Sequence, residues 1–401
     1  MSSFLNSIEI KGLFGHYSYS LPLKAGGRKD ICFLTGPNGY GKSTILNLIY
    51  AFLKADCNRL VATPFDSITF FMKDYKVVVQ QERAEQEEEG NDEENVNDDE
   101  QHATVRLTIA VYTPNGERMI ESSSFEDSEI GKVGMPLFPP SLAVYLASVK
   151  VEYIRDDRLL PKNADKLGVT NKVAMLQDMM AKYDESLTAL YNVRLLDAIR
   201  KNKPVEVKYD EADEAELTKR AVEKLAAFNR IGLASKLVDD ETPDDDRYLK
   251  MMQMTAVDSV LNYRDLFFQR LSLLYDIIVG AEFSDKQLKL DTRNGLYFLS
   301  GDTIVIPEEL SSGEQHFVVQ VITLLMKAEP GSLILVDEPE MSYHPAWQMD
   351  YLKNLKRIAE VGQYQFILAT HSPQIFDYRW NYTIDLYKQT TDDAERFEEN
   401  R

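Results

Sequence analysis

A glycine-rich loop between an apolar strand and an amphipathic helix constrains this chain more than any other feature. Residues 31–35 are predicted to form a buried strand, since residues 31–34 are a continuous apolar run, and from Lys42 onward apolar residues recur at helical spacing. Between them, Gly-Pro-Asn-Gly-Tyr-Gly-Lys-Ser at positions 36–43 matches the pattern G-x-x-x-x-G-K-[ST]. Strand, glycine loop and helix in this order predict an α/β fold in which the loop holds a phosphate group.

The predicted loop suits a triphosphate, because backbone N–H groups at a helix N-terminus bind a dense anion without rearrangement of side chains. We expect the Lys42 ammonium to contact the β- and γ-phosphates of ATP and the Ser43 hydroxyl to ligate Mg²⁺. Pro37 and Tyr40 are interpreted as residues that shape and pack the loop. The predicted nucleotide-binding residues of this segment are Gly36, Pro37, Asn38, Gly39, Tyr40, Gly41, Lys42, Ser43 and Thr44.

Two further segments end apolar strands with residues suited to hydrolysis. The run 333–336 delivers Asp337 and Glu338 to the carboxyl end of a predicted buried strand, where Asp337 is expected to hold Mg²⁺ and Glu338 to deprotonate the attacking water. The run 366–370 delivers His371, a donor able to stabilise charge on a γ-phosphate. The predicted catalytic residues are therefore Lys42, Glu338 and His371, and the predicted Mg²⁺ ligands are Ser43 and Asp337.

A serine-rich turn at residues 310–314 predicts a second anion site. Leu-Ser-Ser-Gly-Glu opens a predicted helix, and Ser311, Ser312, Gly313 and Glu314 are assigned to the nucleotide. One chain cannot easily close this turn over its own glycine loop, so a second copy is expected to supply it.

This segment resembles the signature of ABC-type ATPases, and the order of all the motifs is similar to theirs. The resemblance implies two ATPase heads packed head to tail, in a dimer or a higher oligomer, with Ser311 and the Gly313 backbone contacting the partner's γ-phosphate. The signature has Glu314 in place of glutamine, and in this it resembles the SMC, RecF and OLD branch of AAA-family ATPases rather than transporters. Residues 342–344, Ser-Tyr-His, resemble that branch's D-loop, although a helix-capping turn before Pro345 explains them equally well.

The glutamine loop of that family has no clear counterpart. Gln80 and Gln81 follow a predicted strand, but the connection into the helical region is residues 154–158, Ile-Arg-Asp-Asp-Arg. Either Arg155 or Arg158 could sense the γ-phosphate, and a surface salt bridge is the competing expectation for both.

The predicted fold class is α/β, a P-loop NTPase of ABC type with an antiparallel β lobe and an inserted helical subdomain. The expected domains are a first lobe at 1–155, a helical insertion at 156–264 and a second lobe at 265–401. Strands are expected at 8–10, 17–23, 31–35, 68–79, 105–112, 147–154, 288–291, 296–299, 333–336 and 366–370, and helices at 42–54, 172–201, 214–228, 247–278, from the signature to 327, and at 345–360.

Charge and composition narrow the class of protein. The formal net charge is −20, and half of it lies between Glu82 and Glu100, so residues 82–102 are expected to form a disordered acidic loop. Charge therefore neither demands nor excludes a nucleic-acid partner. No apolar run is long enough to span a bilayer, which predicts a cytoplasmic protein without a membrane partner. Cys32 and Cys57 are expected to be reduced and structural.

Three biological roles remain in competition. The size of the insertion and Glu314 argue against a transporter ATPase. A RecF-like or SMC-like DNA repair ATPase stays open, as does a scaffold that binds ATP without hydrolysis. The motifs resemble most closely the ATPase subunits of bacterial anti-phage systems such as PARIS, Septu and retron operons. No nuclease motif is found in the sequence, so that resemblance implies a separate effector, such as a nuclease, and a phage protein or nucleic acid as trigger.

Overall fold

The computed structural model describes residues 4–24, 30–84, 104–130, 137–155, 165–201, 211–234, 237, 247–341 and 343–390. Contacts divide the chain into two units. The first comprises Met1–Asp156, Glu329–Met341 and Gln348–Arg401, and the second comprises Asp157–Ala328 and Ser342–Trp347. The three predicted segments are a different division and stay a prediction.

Groups of consecutive strands and groups of consecutive helices follow one another along the described residues. The strands are β1 Leu5–Leu13, β2 Tyr17–Pro22, β3 Ile31–Thr35, β4 Ser67–Met72, β5 Lys76–Ala84, β6 Thr104–Tyr112, β7 Met119–Glu126, β8 Val151–Ile154, β9 Lys286–Asp291, β10 Gly295–Ser300, β11 Thr303–Val305, β12 Leu333–Asp337, β13 Gln365–Ala369 and β14 Thr383–Asp385. The helices are α1 Lys42–Leu53, α2 Cys57–Ala62, α3 Pro140–Ala147, α4 Asp165–Lys201, α5 Glu211–Arg230, α6 Arg247–Val260, α7 Leu266–Gly280, α8 Ser312–Ile322 and α9 Pro345–Gly362.

A five-stranded parallel sheet in the first unit positions the predicted catalytic segments. Its strand order is β14-β3-β13-β12-β8, and every pairing is parallel. β3 and β13 are buried along their whole length, as expected for strands covered on both faces. Because the carboxyl ends of parallel strands meet at one edge, the segments that follow β3, β13 and β12 lie side by side.

The first unit also contains a six-stranded antiparallel sheet, in the order β2-β1-β4-β5-β6-β7. β6 alternates buried residues with residues that are at least partly exposed, which is the pattern of a strand with one face on a core. Helix α1 packs into a hydrophobic cluster to which both sheets contribute. Phe52 of α1 stacks on Phe70 of β4, with ring centroids 3.8 Å apart. This packing fixes the helix that follows the glycine loop.

The second unit combines helices α4–α8 with a three-stranded antiparallel sheet in the order β11-β10-β9. Helix α8 continues into a π-helical turn at Thr323–Lys327. Within the described part of the chain, no helix is both long enough and apolar enough to cross a membrane.

Several predicted element bounds are wrong. The run predicted as one strand at 68–79 is two strands, β4 and β5, and the strand predicted at 147–154 begins only at Val151, after helix α3. The helix predicted at 247–278 is α6 and α7, separated at residues 261–265. Glu82 belongs to β5, so the predicted acidic loop does not begin there; its remainder from residue 85 lies outside the described residues.

Candidate functional site

The glycine loop connects β3 to α1 and leaves the helix N-terminus open. Gly39 and Gly41 have φ of 88° and 78°, a left-handed conformation that favours glycine. A Cβ atom at Gly41 would meet Leu13 Cδ2 at 3.0 Å. Helix α1 begins at Lys42 with no capping side chain and no acidic residue in its first turn. This arrangement keeps the positive end of the helix available for an anion.

Lys42 is buried inside this loop, and its ammonium group has three partners. Nζ donates to the carbonyl oxygens of Gly36 at 2.8 Å and Pro37 at 2.9 Å, and it lies 3.2 Å from His371 Nδ1. Burial lowers the pKa of Lys42, although the nearby carboxylates, led by Glu338, oppose this change. The ammonium is therefore held inside the loop by carbonyl acceptors that a phosphate oxygen can replace.

His371 links Lys42 to Glu338. An ammonium group is only a donor, so His371 Nδ1 must accept from Lys42, and in the neutral ring the proton then lies on Nε2. Nε2 lies 3.0 Å from Glu338 Oε1, to which it donates. Glu338 has φ of 46°, a left-handed conformation that is rare for glutamate and is held by a hydrogen bond from its N–H to Ala369 O.

Ser43 and Asp337 meet next to this chain of contacts. The Ser43 hydroxyl donates to Asp337 Oδ1 at 2.9 Å, and the Tyr153 hydroxyl lies 3.4 Å from Asp337 Oδ2. Burial raises the pKa of Asp337, and the charge of Glu338 raises it further, while the Ser43 hydrogen bond opposes both. A carboxylate and a hydroxyl form the oxygen donor set that Mg²⁺ prefers, so these residues fit the expected ion.

The other predicted loop residues take different positions. Pro37 and Asn38 are exposed, and Thr44 is half-buried in α1. The Tyr40 ring packs between the rings of Tyr17 and Tyr387, at 5.5 and 5.6 Å, in agreement with its interpretation as a packing residue.

Gln81 has a structural role in the described residues. Its buried amide group donates to the carbonyl oxygens of Leu60, Val61 and Thr63 and accepts from Phe65 N at 3.1 Å. These hydrogen bonds fasten the segment after α2, so the Gln81 side chain is not available to a nucleotide.

Arg155 follows β8 at the same sheet edge as Asp337. Its guanidinium stacks over the Tyr153 ring at 4.5 Å and donates to Asn47 Oδ1 of helix α1, whose own amide donates to Ser43 O at 2.8 Å. The salt bridge considered for Arg155 is not among its described contacts. Arg158 lies outside the described residues.

The signature segment lies in the second unit. Ser311 caps helix α8, and Ser312 is the first residue of that helix. Glu314 Oε2 accepts from both the N–H and the hydroxyl of Ser311 at 2.9 Å, and Oε1 lies 2.9 Å from Lys286 Nζ. Burial favours the neutral acid, but hydrogen bonds from Lys286 and Ser311 outweigh it and hold the pKa of Glu314 below its usual range.

Ser311 and Gly313 line a cavity of about 650 Å³ in this unit. Tyr343, His344 and Trp347 also line it, so the signature and the segment resembling a D-loop share one concave surface. His344 Nδ1 accepts from Ala346 N at 3.3 Å, which is the capping geometry considered for this residue. Ser342 lies outside the described residues.

Three residues of these sites were missed by sequence reasoning. Glu340, Tyr153 and Lys286 contact site residues through hydrogen bonds. Glu340 lies two positions after Glu338, and this proximity in the sequence is a weak signal that it belongs to the site. Tyr153 and Lys286 belong to ordinary strands, whose pairing with the motifs depends on the fold.

The parallel sheet, the glycine loop and the acidic strand end define a P-loop NTPase, and the predicted fold class is confirmed. The chain belongs to the family described as "AAA domain, putative AbiEii toxin, Type IV TA system", which matches residues 31–377. The predicted membership of the AAA family is therefore also confirmed.

A comparison with curated proteins finds no match. Among solved structures, the chain is similar to the Smc head domain with an extended coiled coil bound to the C-terminal domain of ScpA from Pyrococcus furiosus, with 13% identity, 99% of each chain covered and a TM-score of 0.37. It is also similar to the SMC head domain from Thermotoga maritima, with 11% identity, 93% of this chain and 91% of that chain covered and a TM-score of 0.38.

Proposed function

We propose that this protein binds ATP with Mg²⁺ and hydrolyses it to ADP and phosphate. One observation carries the proposal: Lys42, His371 and Glu338 form a continuous chain of hydrogen bonds beside the Ser43–Asp337 pair. These five residues come from three separate strand ends of one sheet. Such a constellation suits phosphoryl transfer, where catalysis depends on positioning and on electrostatic stabilisation.

The glycine loop and the N-terminus of α1 bind the phosphates in this proposal. Lys42 exchanges its carbonyl partners for the β- and γ-phosphate oxygens. Ser43 and Asp337 would hold Mg²⁺, which would neutralise charge on the phosphate oxygens. Arg155 follows β8 and donates a hydrogen bond to Asn47 of helix α1. It is the candidate residue for sensing the bound γ-phosphate.

Glu338 acts as the general base. Its carboxylate takes a proton from water as the water oxygen bonds to the γ-phosphorus and the bond to the bridging oxygen of ADP breaks. His371 donates its Nε2–H to the Glu338 carboxylate and thereby orients this carboxylate toward the attacking water. The electron pair of the broken bond stays on the ADP oxygen.

A second copy completes each site in this proposal, in a head-to-tail dimer or a higher oligomer. The support is the signature segment, whose Ser311, Ser312, Gly313 and Glu314 present a helix N-terminus at a cavity wall. In the second copy, Ser311 and the Gly313 backbone contact the γ-phosphate bound by the first copy.

A mixing experiment tests both hydrolysis and the shared site. Lys42→Ala removes the phosphate ligand and Ser311→Arg blocks the signature, so each variant alone should lack ATPase activity. Mixed in equal amounts, half of the dimers carry one intact composite site, and activity should return to about a quarter of the wild-type value. If the mixture shows no recovery and isolated wild-type monomers are fully active, the shared site is refuted but ATP hydrolysis is not. If the wild-type protein does not hydrolyse ATP, the proposed ATPase activity is refuted.

The biological role that we propose is control of a separate effector in bacterial anti-phage defence. The family description names a toxin of a Type IV toxin–antitoxin system, which supports a role in cellular defence. In this proposal the cytoplasmic ATP-bound oligomer holds or releases an effector, such as a nuclease, in response to a phage protein or nucleic acid. Copurification of the effector, followed by its loss in Lys42→Ala, tests this role.

A further inference from the structure

A single carboxylate oxygen holds the turn that carries His371. Glu340 Oε1 accepts from the Thr370 hydroxyl at 2.7 Å, from His371 N at 2.7 Å and from Ser372 N at 3.1 Å. Three donors from three consecutive residues thus converge on one atom. Hydrogen bonds to an ionised acceptor are about twice as strong as those between neutral groups.

The sheet explains why this contact forms. Glu340 follows β12, and residues 370–372 follow β13, the neighbouring strand. Strand pairing ends at Asp337 and Ala369, so the N–H groups of His371 and Ser372 have no ladder partner beyond that point. The Glu340 carboxylate accepts from both, although Ser372 N also donates to Thr370 Oγ1 at 3.0 Å. The Ser372 hydroxyl is held separately by Gln348 Oε1 at 2.7 Å.

The second carboxylate oxygen of Glu340 also bears on the role of this side chain. Oε2 is buried and has no hydrogen-bond partner among the described residues. The described hydrogen bonds of this side chain therefore all go to the turn at 370–372. Neither Ser43 nor Asp337, the expected Mg²⁺ ligands, is hydrogen-bonded to it in the described part of the chain.

We propose that Glu340 is a positioning residue for ATP hydrolysis and acts through His371. It fixes the backbone from which the imidazole reaches Glu338 Oε1 on one side and Lys42 Nζ on the other, at 3.0 and 3.2 Å. This inference rests on the proposed ATPase function. A displacement of about 1 Å in a catalytic group can lower a rate about 100-fold, so the anchor is expected to affect turnover strongly.

The test compares Glu340→Ala and Glu340→Gln. Alanine removes the acceptor, and we expect kcat to fall about 30-fold while KM for ATP changes less than about twofold. Glutamine keeps a neutral oxygen for the three donors, so kcat should fall only about fivefold. Glu360→Gln removes an exposed carboxylate from α9 and should match the wild type.

A double-mutant cycle separates positioning from a general loss of structure. If Glu340 acts through His371, Glu340→Ala should lower kcat by less than about twofold when it is added to His371→Ala. Independent, multiplicative losses would overturn the proposal, as would a purely KM effect. Equal loss in the Gln and Ala variants would show that charge rather than the acceptor matters, and would also overturn it.

Folding and function are monitored separately. Each variant is compared by thermal melting and by hydrogen exchange of the amides of residues 371 and 372, whose protection should fall in Glu340→Ala. If Glu340→Ala fails to fold, the cycle is repeated with Glu340→Gln, which preserves the shape of the side chain. An inactive wild type refutes the ATPase function, whereas an active wild type with unaffected Glu340 variants refutes only the positioning role.

Discussion

The ammonium nitrogen of Lys286 lies 2.9 Å from Oε1 of Glu314, and the other oxygen of Glu314 holds the hydroxyl of Ser311. Lys286 is on β9 and Glu314 is in the first turn of α8. The orientation of the signature serine therefore depends on a lysine from a different element, 25 positions earlier in the chain.

Lys286→Met should destabilise the protein by about 1–3 kcal/mol at pH 7, because it leaves the buried Glu314 carboxylate without its cation. Glu314 has a lowered pKa in the folded protein, so its contribution is present above the unfolded pKa, about 4.3, and is lost as pH falls through the folded value. The difference from wild type should therefore shrink in acid. Denaturant unfolding at pH 7 and below pH 4 measures it, with the exposed Lys289→Met as control.

Glu338→Gln should lower ATP turnover about 100-fold or more while preserving ATP binding, because glutamine cannot take the proton from water. Bound ATP should then accumulate and favour the oligomer. Turnover and light scattering in the presence of ATP measure the two effects. Unchanged turnover in this variant would exclude Glu338 as the base.

Ser43→Ala should raise the Mg²⁺ concentration needed for half-maximal ATPase activity about tenfold or more, since it removes one of the two proposed Mg²⁺ ligands, Ser43 and Asp337. Ser43→Thr retains the hydroxyl and should stay within about threefold of the wild type. The Mg²⁺ dependence of hydrolysis, with EDTA as the metal-free reference, provides the measurement. Equal Mg²⁺ requirements for the alanine and threonine variants would contradict this ligand assignment.

Gly232→Ala should destabilise the second unit by about 3 kcal/mol or more. Gly232 has φ of 75°, and a Cβ atom there would meet the backbone oxygen of Leu290 at 2.2 Å. Gly301 also has a positive φ, 57°, but nothing lies within 4 Å of its Cβ position, so Gly301→Ala should cost only about 1 kcal/mol. Chemical denaturation of both variants separates steric overlap from backbone strain, and equal losses would contradict the close approach of Gly232 to Leu290.

Cys57 should react slowly with iodoacetamide at pH 8 in the folded protein. Burial raises the pKa of its thiol to about 11, and the charge of Asp56 adds to this change. A pKa of 11 leaves about 0.1% of the thiol as the reactive thiolate at pH 8. Alkylation followed by mass spectrometry should be at least about 100-fold faster in guanidinium chloride, where both cysteines are exposed. Comparable rates in the two conditions would show that Cys57 is accessible.

The strands that carry the motifs could be predicted closely from the sequence. The bounds of β3 are predicted without error and those of β12 and β13 to within one residue, because the motif that follows each short apolar run fixes where the strand ends. The strand predicted at 68–79 failed because the connection at 73–75, Lys-Asp-Tyr, contains neither glycine nor proline to mark a break in a run rich in β-branched and aromatic residues. The long helix predicted from 247 failed at Asp265, whose carboxylate caps α7 by accepting from Phe267 N and Phe268 N.

The residues of the candidate sites also fall into two groups, those that local sequence patterns specify and those whose contacts depend on the fold. Lys42, Ser43, Asp337 and His371 are specified by local patterns, and the sheet brings them together. Glu340 and Lys286 act through contacts that depend on which strands are neighbours, and a single sequence contains no direct signal for strand order. The role of Gln81 was also beyond sequence reasoning, because its partners at residues 60–65 are set by a loop geometry.

The strand order of the parallel sheet has a consequence for biosynthesis. Among the described strands, β3 pairs only with β13 and β14, and β8 pairs only with β12. A nascent chain that ends at residue 330 therefore contains both early strands and none of these partners. The nucleotide loop at residues 36–43 is translated long before β12, β13 and β14, so it cannot be built on a finished sheet until these three strands have left the ribosome. Such long-range pairing slows folding and exposes strand edges, so this protein should depend on chaperones during synthesis.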